Sequence, residues 1–175
     1  GTLGPLRLIQ VNFGSYKEYD MNNRFFNRNL AGGAMLDIGV YALSLIRWFF
    51  AETANQVLSQ VKYAPTGVDE QAGILLMNPA GEMATVTLSL HAKQPKRATI
   101  AFDKGYIEIF EYPRAMEAGE TADALSYEVA DMEAAVCSGD LSTIESLMHL
   151  NYSQDVMHIM TEIRNNWGMK YPEEE

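Results

Sequence analysis

Leu30 to Phe50 reads LAGGAMLDIGVYALSLIRWFF and is the longest apolar stretch of this 175-residue chain. Its apolar residues lie almost all the way round a wheel of 3.6 residues per turn, which predicts a buried helix from Gly33 to Phe50. Asp37 and Arg47 interrupt the stretch, so we do not expect it to span a membrane. A carboxylate inside a buried helix is costly unless another group pairs with it. Asp37 therefore marks either a functional site or a paired residue of the core.

Asp37 and Tyr41 are four residues apart, which places both side chains on one helix face, one turn from each other. A tyrosine can act as general acid or base when a nearby cation favours its charged form. Asp37 could orient a substrate hydroxyl or hold Tyr41 by a hydrogen bond. The alternative is structural, with Asp37 capping loop amides and Tyr41 in the core. Gly32 and Gly33 leave the start of the helix without side-chain bulk, so a ligand could approach the backbone there.

The composition indicates one folded, acidic domain. Hydrophobic residues make up 47% of the chain, the net charge is −10 and the pI is about 4.7. This acidic balance argues against nucleic acid and anionic membranes as main partners, because both favour a basic patch. Cys137 is the only cysteine, which excludes an internal disulfide and predicts a small buried residue in an intracellular, cytoplasmic protein.

The chain begins with Gly1-Thr2-Leu3-Gly4-Pro5 and has no initiating Met. This start lies just before a predicted strand, so we expect residues 1–175 to be a single domain that lacks a preceding N-terminal part.

The middle of the chain has the pattern of a sheet. From Glu82 to His91, Val86, Leu88 and Leu90 alternate with polar residues, as in a strand with one dry face. Similar patterns, bounded by turn residues, predict six strands: Leu6–Phe13, Gln56–Ala64, Asp69–Met77, Glu82–His91, Lys96–Phe102 and Tyr106–Phe110. Between the first strand and the helix, Ser15 to Asn29 is a polar and aromatic stretch that we interpret as a long loop.

The C-terminal third is predicted to be helical. Tyr127 to Cys137 is amphipathic and is closed by Gly139. Asn151, with Gln154 three residues later, has the spacing of an N-cap, and the apolar stripe after it runs to Trp167 before Gly168. The fold class is therefore α+β, an open and mostly antiparallel sheet of about six or more strands, mostly in sequential order, with helices on one face.

The strand residues Ala72 to Met77 are apolar on both faces, which a single helical layer cannot cover. Another domain or another subunit is expected to cover the second face, and short loops are the alternative.

Recognised catalytic motifs are missing from the sequence. It contains no G-x-G-x-x-G, no G-x-x-x-x-G-K-[ST] and no G-x-S-x-G. His91, His149 and His158 are far apart and lack metal-ligand spacing, so we interpret them as structural or surface residues and predict no metal site.

The segment Gly32 to Tyr41, GGAMLDIGVY, resembles the helix of the glucose–fructose oxidoreductase/inositol dehydrogenase (Gfo/Idh/MocA) family. There a glycine pair and small or apolar residues precede Asp-x-Gly-x-His or Asp-x-Gly-x-Tyr. Weaker features agree in order along nearly the whole chain. They are a strand after Gly4-Pro5, an arginine-bearing loop, Val68-Asp69-Glu70 before the strand series, a hairpin at Lys104-Gly105, and a last helix followed by Gly168 and Tyr171-Pro172.

The resemblance implies that the chain is the C-terminal, substrate-side domain of a two-domain NAD(P)-dependent oxidoreductase. A Rossmann domain would precede it and supply the NAD or NADP site and a catalytic Lys, so the chain alone is expected to bind no cofactor and to be inactive. Tyr41 would match the family's acid/base position and Asp37 its aspartate, with a sugar, polyol or diol as substrate. Arg24 and Gly33 would contact the substrate.

Tyr rather than His at position 41 points toward the branch that resembles glucose–fructose oxidoreductase and dihydrodiol dehydrogenase. The family's open sheet face commonly forms the subunit interface, which implies a homo-oligomer. Two other hypotheses stay open at this point. One is a binding or regulatory relative without catalysis, and the other is a dimerising domain with no site.

Overall fold

The computed structural model describes residues 2–111, 124–140 and 150–175. All six predicted strands are present, with bounds within two residues of those expected from the sequence. They are β1 (Leu6–Gly14), β2 (Gln56–Tyr63), β3 (Asp69–Met77), β4 (Met83–Ser89), β5 (Arg97–Phe102) and β6 (Gly105–Phe110). The α+β fold class is thereby confirmed.

The six strands form one open sheet in the order β2-β3-β4-β1-β5-β6. β1 pairs in parallel with β4 and antiparallel with β5, and the other pairs are antiparallel. The expectation of a mostly antiparallel sheet is confirmed, but the expectation of sequential strand order is wrong for β1. The long connection after β1 lets the chain reach the far edge of the sheet at β2, and β4 and β5 then pair on either side of β1. This central position suits β1, because its residues Ile9 and Val11 are fully buried.

A π-helical turn, Met35–Gly39, leads directly into helix α1, Val40–Phe49. Ala42, Leu43 and Ile46 of α1 are buried, whereas the side chains of Tyr41 and Trp48 are about half exposed, at 46% and 53%. The prediction of a helix is confirmed, but burial on all sides is wrong, because the sheet covers only one face of α1.

The apolar stretch around α1 has the length and composition of a membrane span. Its mean hydropathy reaches 1.4 between Arg28 and Phe49. Half of that window is nevertheless buried inside the domain, as in the core helix of a folded domain.

Two more α-helices are described, α2 (Ala124–Ser138) and α3 (Leu150–Asn166). Short 3-10 helices lie at Arg28–Leu30 and Pro172–Glu174. α2 ends at Gly139, whose φ is 68°, and confirms the predicted helix. Cys137 is exposed, so the prediction that it is buried is wrong. Near this end of the helix Ala135 is buried instead.

Helix α3 already includes Leu150, so Asn151 lies inside the helix and its prediction as the N-cap is wrong. The predicted apolar stripe is confirmed, because Val156, Ile159, Met160 and Ile163 are all buried. The helix ends as expected. Gly168 has a φ of 67°, and the amide of Met169 donates to the carbonyl of Arg164 at 3.0 Å, which is the bond of a Schellman motif.

The two faces of the sheet differ in cover. The indole of Trp167 donates to Ser59 Oγ at 3.0 Å, which places Ser59 and its neighbours in register on the helical side. The opposite surface, which we call the open face, is lined by the alternate residues Leu8, Gln10, Asn12, Leu58, Gln60, Gly73, Leu75, Met83, Thr85, Thr87, Arg97, Thr99, Tyr106, Glu108 and Phe110. Leu58 on the open face is 68% exposed.

Candidate functional site

The start of the helical stretch packs against Asp69, the first residue of β3. Gly33 has a φ of 123°, and a Cβ atom there would overlap the Asp69 carboxylate. A Cβ atom on Gly32 would lie 2.6 Å from the carbonyl oxygen of Arg24. The amide of Met35 donates to Asp69 Oδ2 at 2.6 Å. Both glycines therefore have a packing role, and contact between Gly33 and a substrate stays a prediction.

Asp69, rather than Asp37, is the carboxylate that caps the helix amides. Asp69 is completely buried, and burial raises its pKa to about 7, although the amides of Met35 and Ala34 act in the opposite direction. The hydroxyl of Tyr171 donates to the carbonyl of Gly32 at 2.7 Å in the same buried region. Burial, and then the charge of Asp69, raise the pKa of Tyr171. The C-terminal segment thus also packs against this region, through Tyr171.

Asp37 is paired with Arg24 from the loop after β1. Arg24 Nη2 donates to Asp37 Oδ1 at 2.7 Å, with side-chain exposures of 62% and 17%. The guanidinium also lies 4.2 Å from the centre of the Phe25 ring, a cation–π distance. The structure therefore brings together two of the residues that the sequence singled out separately.

Tyr41 lies one turn after Asp37, on the outer face of α1. Its ring centre is 5.9 Å from that of Phe13 at the end of β1. Lys96 Nζ lies 5.5 Å from the centre of the same Phe13 ring. Phe13 therefore neighbours both Tyr41 and a lysine of the β4–β5 connection.

A cavity of about 720 Å³ lies at the end of β1, and Lys96 is part of its lining. Gly14 is part of the cavity lining, and a Cβ atom on it would overlap the side chain of Gln94. The lining contains two lysines and one carboxylate: Gly14, Ser15, Tyr16, Lys93, Gln94, Pro95, Lys96 and Glu111. Sequence reasoning missed this cavity, because its walls come from segments about 80 residues apart.

A second polar cluster surrounds Glu70, which is 1% exposed. Glu70 accepts hydrogen bonds from the hydroxyl of Tyr19 and from Lys62 Nζ, the latter at 2.8 Å. Burial opposes the charge of Glu70, but these two donors outweigh it and lower its pKa. The bond to Glu70 raises the pKa of Tyr19 to about 12. His91 stacks on Tyr19 with ring centres 4.0 Å apart and on Tyr16 at 5.3 Å.

His91 therefore has a packing role, as expected from the sequence. His158 is exposed, and His149 lies outside the described residues. Within residues 2–111, 124–140 and 150–175, no three His, Cys, Asp or Glu side chains form a group that could hold a metal ion.

A helix layer on one face of an open sheet, with an Asp-x-Gly-x-Tyr turn beside the end of a central strand, defines the class of domain. Residues 1–108 match the profile of the GFO/IDH/MocA C-terminal domain. The chain belongs to this family.

The curated relatives include trans-1,2-dihydrobenzene-1,2-diol dehydrogenases. The Mus musculus protein is 31% identical over 112 residues, which is 62% of this chain and 32% of the relative. The Sus scrofa protein is 25% identical over 195 residues, which is 99% of this chain and 57% of the relative. The chain thus spans between about a third and just over half the length of these relatives.

Solved structures share the fold. Aldose-aldose oxidoreductase from Caulobacter crescentus superposes with a TM-score of 0.68 and 20% identity, over 94% of this chain and 56% of that one. UDP-N-acetylglucosamine 3-dehydrogenase from Acidithiobacillus ferrooxidans gives a TM-score of 0.62 and 16% identity, over 78% of this chain and 46% of that one.

Proposed function

We propose that this chain is the substrate-side domain of an NAD(P)-dependent oxidoreductase in which Tyr41 exchanges the proton of a sugar, polyol or diol hydroxyl. One observation carries the proposal. Tyr41 is 46% exposed and lies one helical turn from Asp37, whose carboxylate Arg24 holds at 2.7 Å. The relatives named as diol dehydrogenases, and the sugar oxidoreductases with the same fold, support the substrate class.

The proton chemistry requires a group that can both accept and return a proton at the reacting oxygen. In the oxidative direction the phenolate of Tyr41 accepts the hydroxyl proton while the C–H bond breaks and the carbonyl forms, and the reverse steps reduce the carbonyl. A cation beside Tyr41 would favour the phenolate, and we propose that it is a lysine from a preceding domain.

The dinucleotide does not fit this chain alone, because the sequence has no Gly-rich phosphate loop. We propose that a preceding Rossmann domain holds NAD or NADP. The nicotinamide supplies the hydride acceptor or donor, and the residues of this chain bind and orient the substrate.

Arg24 and Gly33 are the proposed substrate contacts. The amide of Gly33 already donates to the carbonyl of Phe25 at 3.0 Å, so a contact of Gly33 with a substrate would not use this N–H group. Arg24 has more donors than its bond to Asp37 uses, since a guanidinium carries five N–H groups. We therefore propose Arg24 as the residue that both fixes Asp37 and donates to a substrate oxygen.

The open face is the proposed contact between two copies of the chain. Leu58, Met83, Tyr106 and Phe110 are exposed there, on a surface that is continuous from β2 to β6. A cytoplasmic location stays a prediction.

The test is a turnover screen of the full-length protein that contains this chain against sugars, inositols and diols, with NAD and with NADP. The proposal expects turnover with at least one substrate class, and none from the 175-residue chain alone. Turnover by the isolated chain would contradict it, as would a full-length protein without a dinucleotide-binding domain.

A further inference from the structure

Asp69 and Glu70 are adjacent, carry carboxylates, and are almost completely buried, at 0% and 1% exposure. Burial of a charged group is unfavourable unless specific partners compensate for it. Two such residues in a row at the start of β3 therefore require an explanation beyond pairing of the strand.

Asp69 points toward the helix layer. It accepts from the amide of Met35 at 2.6 Å and fills the space that Gly33 leaves open. The amide of Asp37 donates to the carbonyl of Gly33 at 3.2 Å in the same turn. Asp69 thereby fixes the turn of backbone on which Asp37 lies.

Glu70 contacts a different part of the chain from Asp69. It binds the hydroxyl of Tyr19 in the loop after β1. The ring of Tyr19 packs against the fully buried ring of Phe26 with centres 5.1 Å apart. Glu70 thereby holds Tyr19 at one end of the short segment that contains Arg24, and Tyr19 packs on Phe26 at the other end.

The segment held by Asp69 and the segment held by Glu70 meet at the bond between Arg24 and Asp37. Arg24 is mostly exposed, and an exposed ion pair by itself orders its side chains only weakly. The 2.7 Å bond therefore depends on two backbones that are already in place, and these are the backbones that Asp69 and Glu70 hold. The amide of Gly33 donates to the carbonyl of Phe25 at 3.0 Å, which is a second link between these two segments.

We propose that Asp69 and Glu70 are positioning residues that together set the Arg24–Asp37 pair, and through it the helix face that contains Tyr41. The inference rests on the proposed function for its consequence in catalysis, but the positioning itself is a property of this chain. Neither carboxylate contacts the reacting atoms; both act through Arg24 and Asp37.

The first test uses amide hydrogen exchange in the 175-residue chain and needs no activity. Glu70→Ala should accelerate exchange at Phe26 and Gly33 by about tenfold or more, the loss expected for one buried charge-assisted hydrogen bond. Glu70→Gln, which can still accept from Tyr19, should show a smaller effect. Asp103→Asn is the control. Asp103 lies in the β5–β6 turn and forms an exposed ion pair with Arg7, so this change should leave the exchange rates of both amides unaltered. Unchanged exchange in Glu70→Ala would overturn the proposal.

The second test is a double-mutant cycle in the full-length enzyme. Glu70→Ala should lower kcat/KM about tenfold or more, but have little further effect in an Arg24→Ala background, because both changes disrupt the same pair. A purely structural role predicts a lower Tm with kcat/KM per folded molecule unchanged, or effects that multiply, and either result would overturn the proposal. If Tyr41→Phe also leaves turnover intact, the proposed function fails, whereas the exchange result is independent of it.

Discussion

Arg24 donates to Asp37 across 13 residues of chain, at 2.7 Å between Nη2 and Oδ1. This bond joins the loop after β1 to the turn before α1, and Tyr41 lies one turn beyond it. A polar loop and an apolar helix, which look unrelated in the sequence, thus form one surface. The predictions below test separate parts of that surface.

Loss of the Arg24 side chain should affect function more than stability. We expect Arg24→Leu to lower the free energy of unfolding by no more than about 1 kcal/mol, because the guanidinium is 62% exposed and solvent screens the pair. The kcat/KM of the full-length enzyme should fall by more than this small loss of stability would explain. Urea unfolding and steady-state kinetics measure the two effects, and a large loss of stability with normal kinetics would contradict the prediction.

A side chain at Gly33 should be severely destabilising. Gly33→Ala forces a non-glycine residue to a φ of 123° and overlaps Asp69, so we expect a loss of at least about 2 kcal/mol in the free energy of unfolding. Gly73→Ala is the matched control, because a Cβ atom on Gly73, in β3, would have no other heavy atom within 4 Å. Equal stability of the two variants in urea would show that Gly33 has no such constraint.

Burial of Asp69 should make stability depend on pH. The pKa of Asp69 is about 7 in the folded chain and about 3.9 in an unfolded one. Between these values only the folded state retains the proton, so this residue makes stability fall as pH rises, by up to about 1.4 kcal/mol per pH unit. Above pH 7 both states are ionised and the decline from this residue ends.

Asp69→Asn should remove this decline, since the amide oxygen can still accept from Met35. The measurement is urea unfolding of both proteins at pH 5 and at pH 8. Subtracting the pH dependence of the variant from that of the wild type removes the contribution of the histidines, which both proteins contain. Glu70 and Glu174, whose pKa values are lowered, contribute only at more acidic pH. The same pH dependence in both proteins would contradict the assignment of Asp69.

A charge on the open face should disrupt the proposed contact between copies. Leu58→Lys places an ammonium where Leu58 pairs in register with Leu75 of β3, and we expect it to shift a dimer toward monomer in sedimentation equilibrium. Val136→Lys, at an equally exposed position on α2, should leave the assembly unchanged. A wild-type chain that is monomeric at all accessible concentrations would contradict the proposal.

Local patterns predicted the elements of the fold well. The alternation of Val86 and Leu88 with Thr85 and Thr87 identified the buried face of β4, and the stripe from Val156 to Ile163 identified α3. The position of β1 between β4 and β5 was not predictable, because periodicity reports which face of a strand is buried and not which strand lies beside it.

The site was only half predictable for a related reason. Asp37 and Tyr41 share a helix turn, so their spacing in the sequence places them together. Asp69 and Glu70 contribute through the bonds they make to Met35 and Tyr19, residues 34 and 51 positions away. Charge at the start of an apolar strand was the available signal, since a buried carboxylate needs partners.

The central claim is that Tyr41 handles the substrate proton, and one measurement tests it most directly. The full-length enzyme and its Tyr41→Phe variant are compared by kcat, with Tyr152→Phe in α3 as the matched loss of a phenol hydroxyl. We expect Tyr41→Phe to lower kcat by about 10² to 10⁴, the usual contribution of a general acid or base, with the fold retained and Tyr152→Phe near wild type. A Tyr41→Phe enzyme with wild-type kcat would contradict the account.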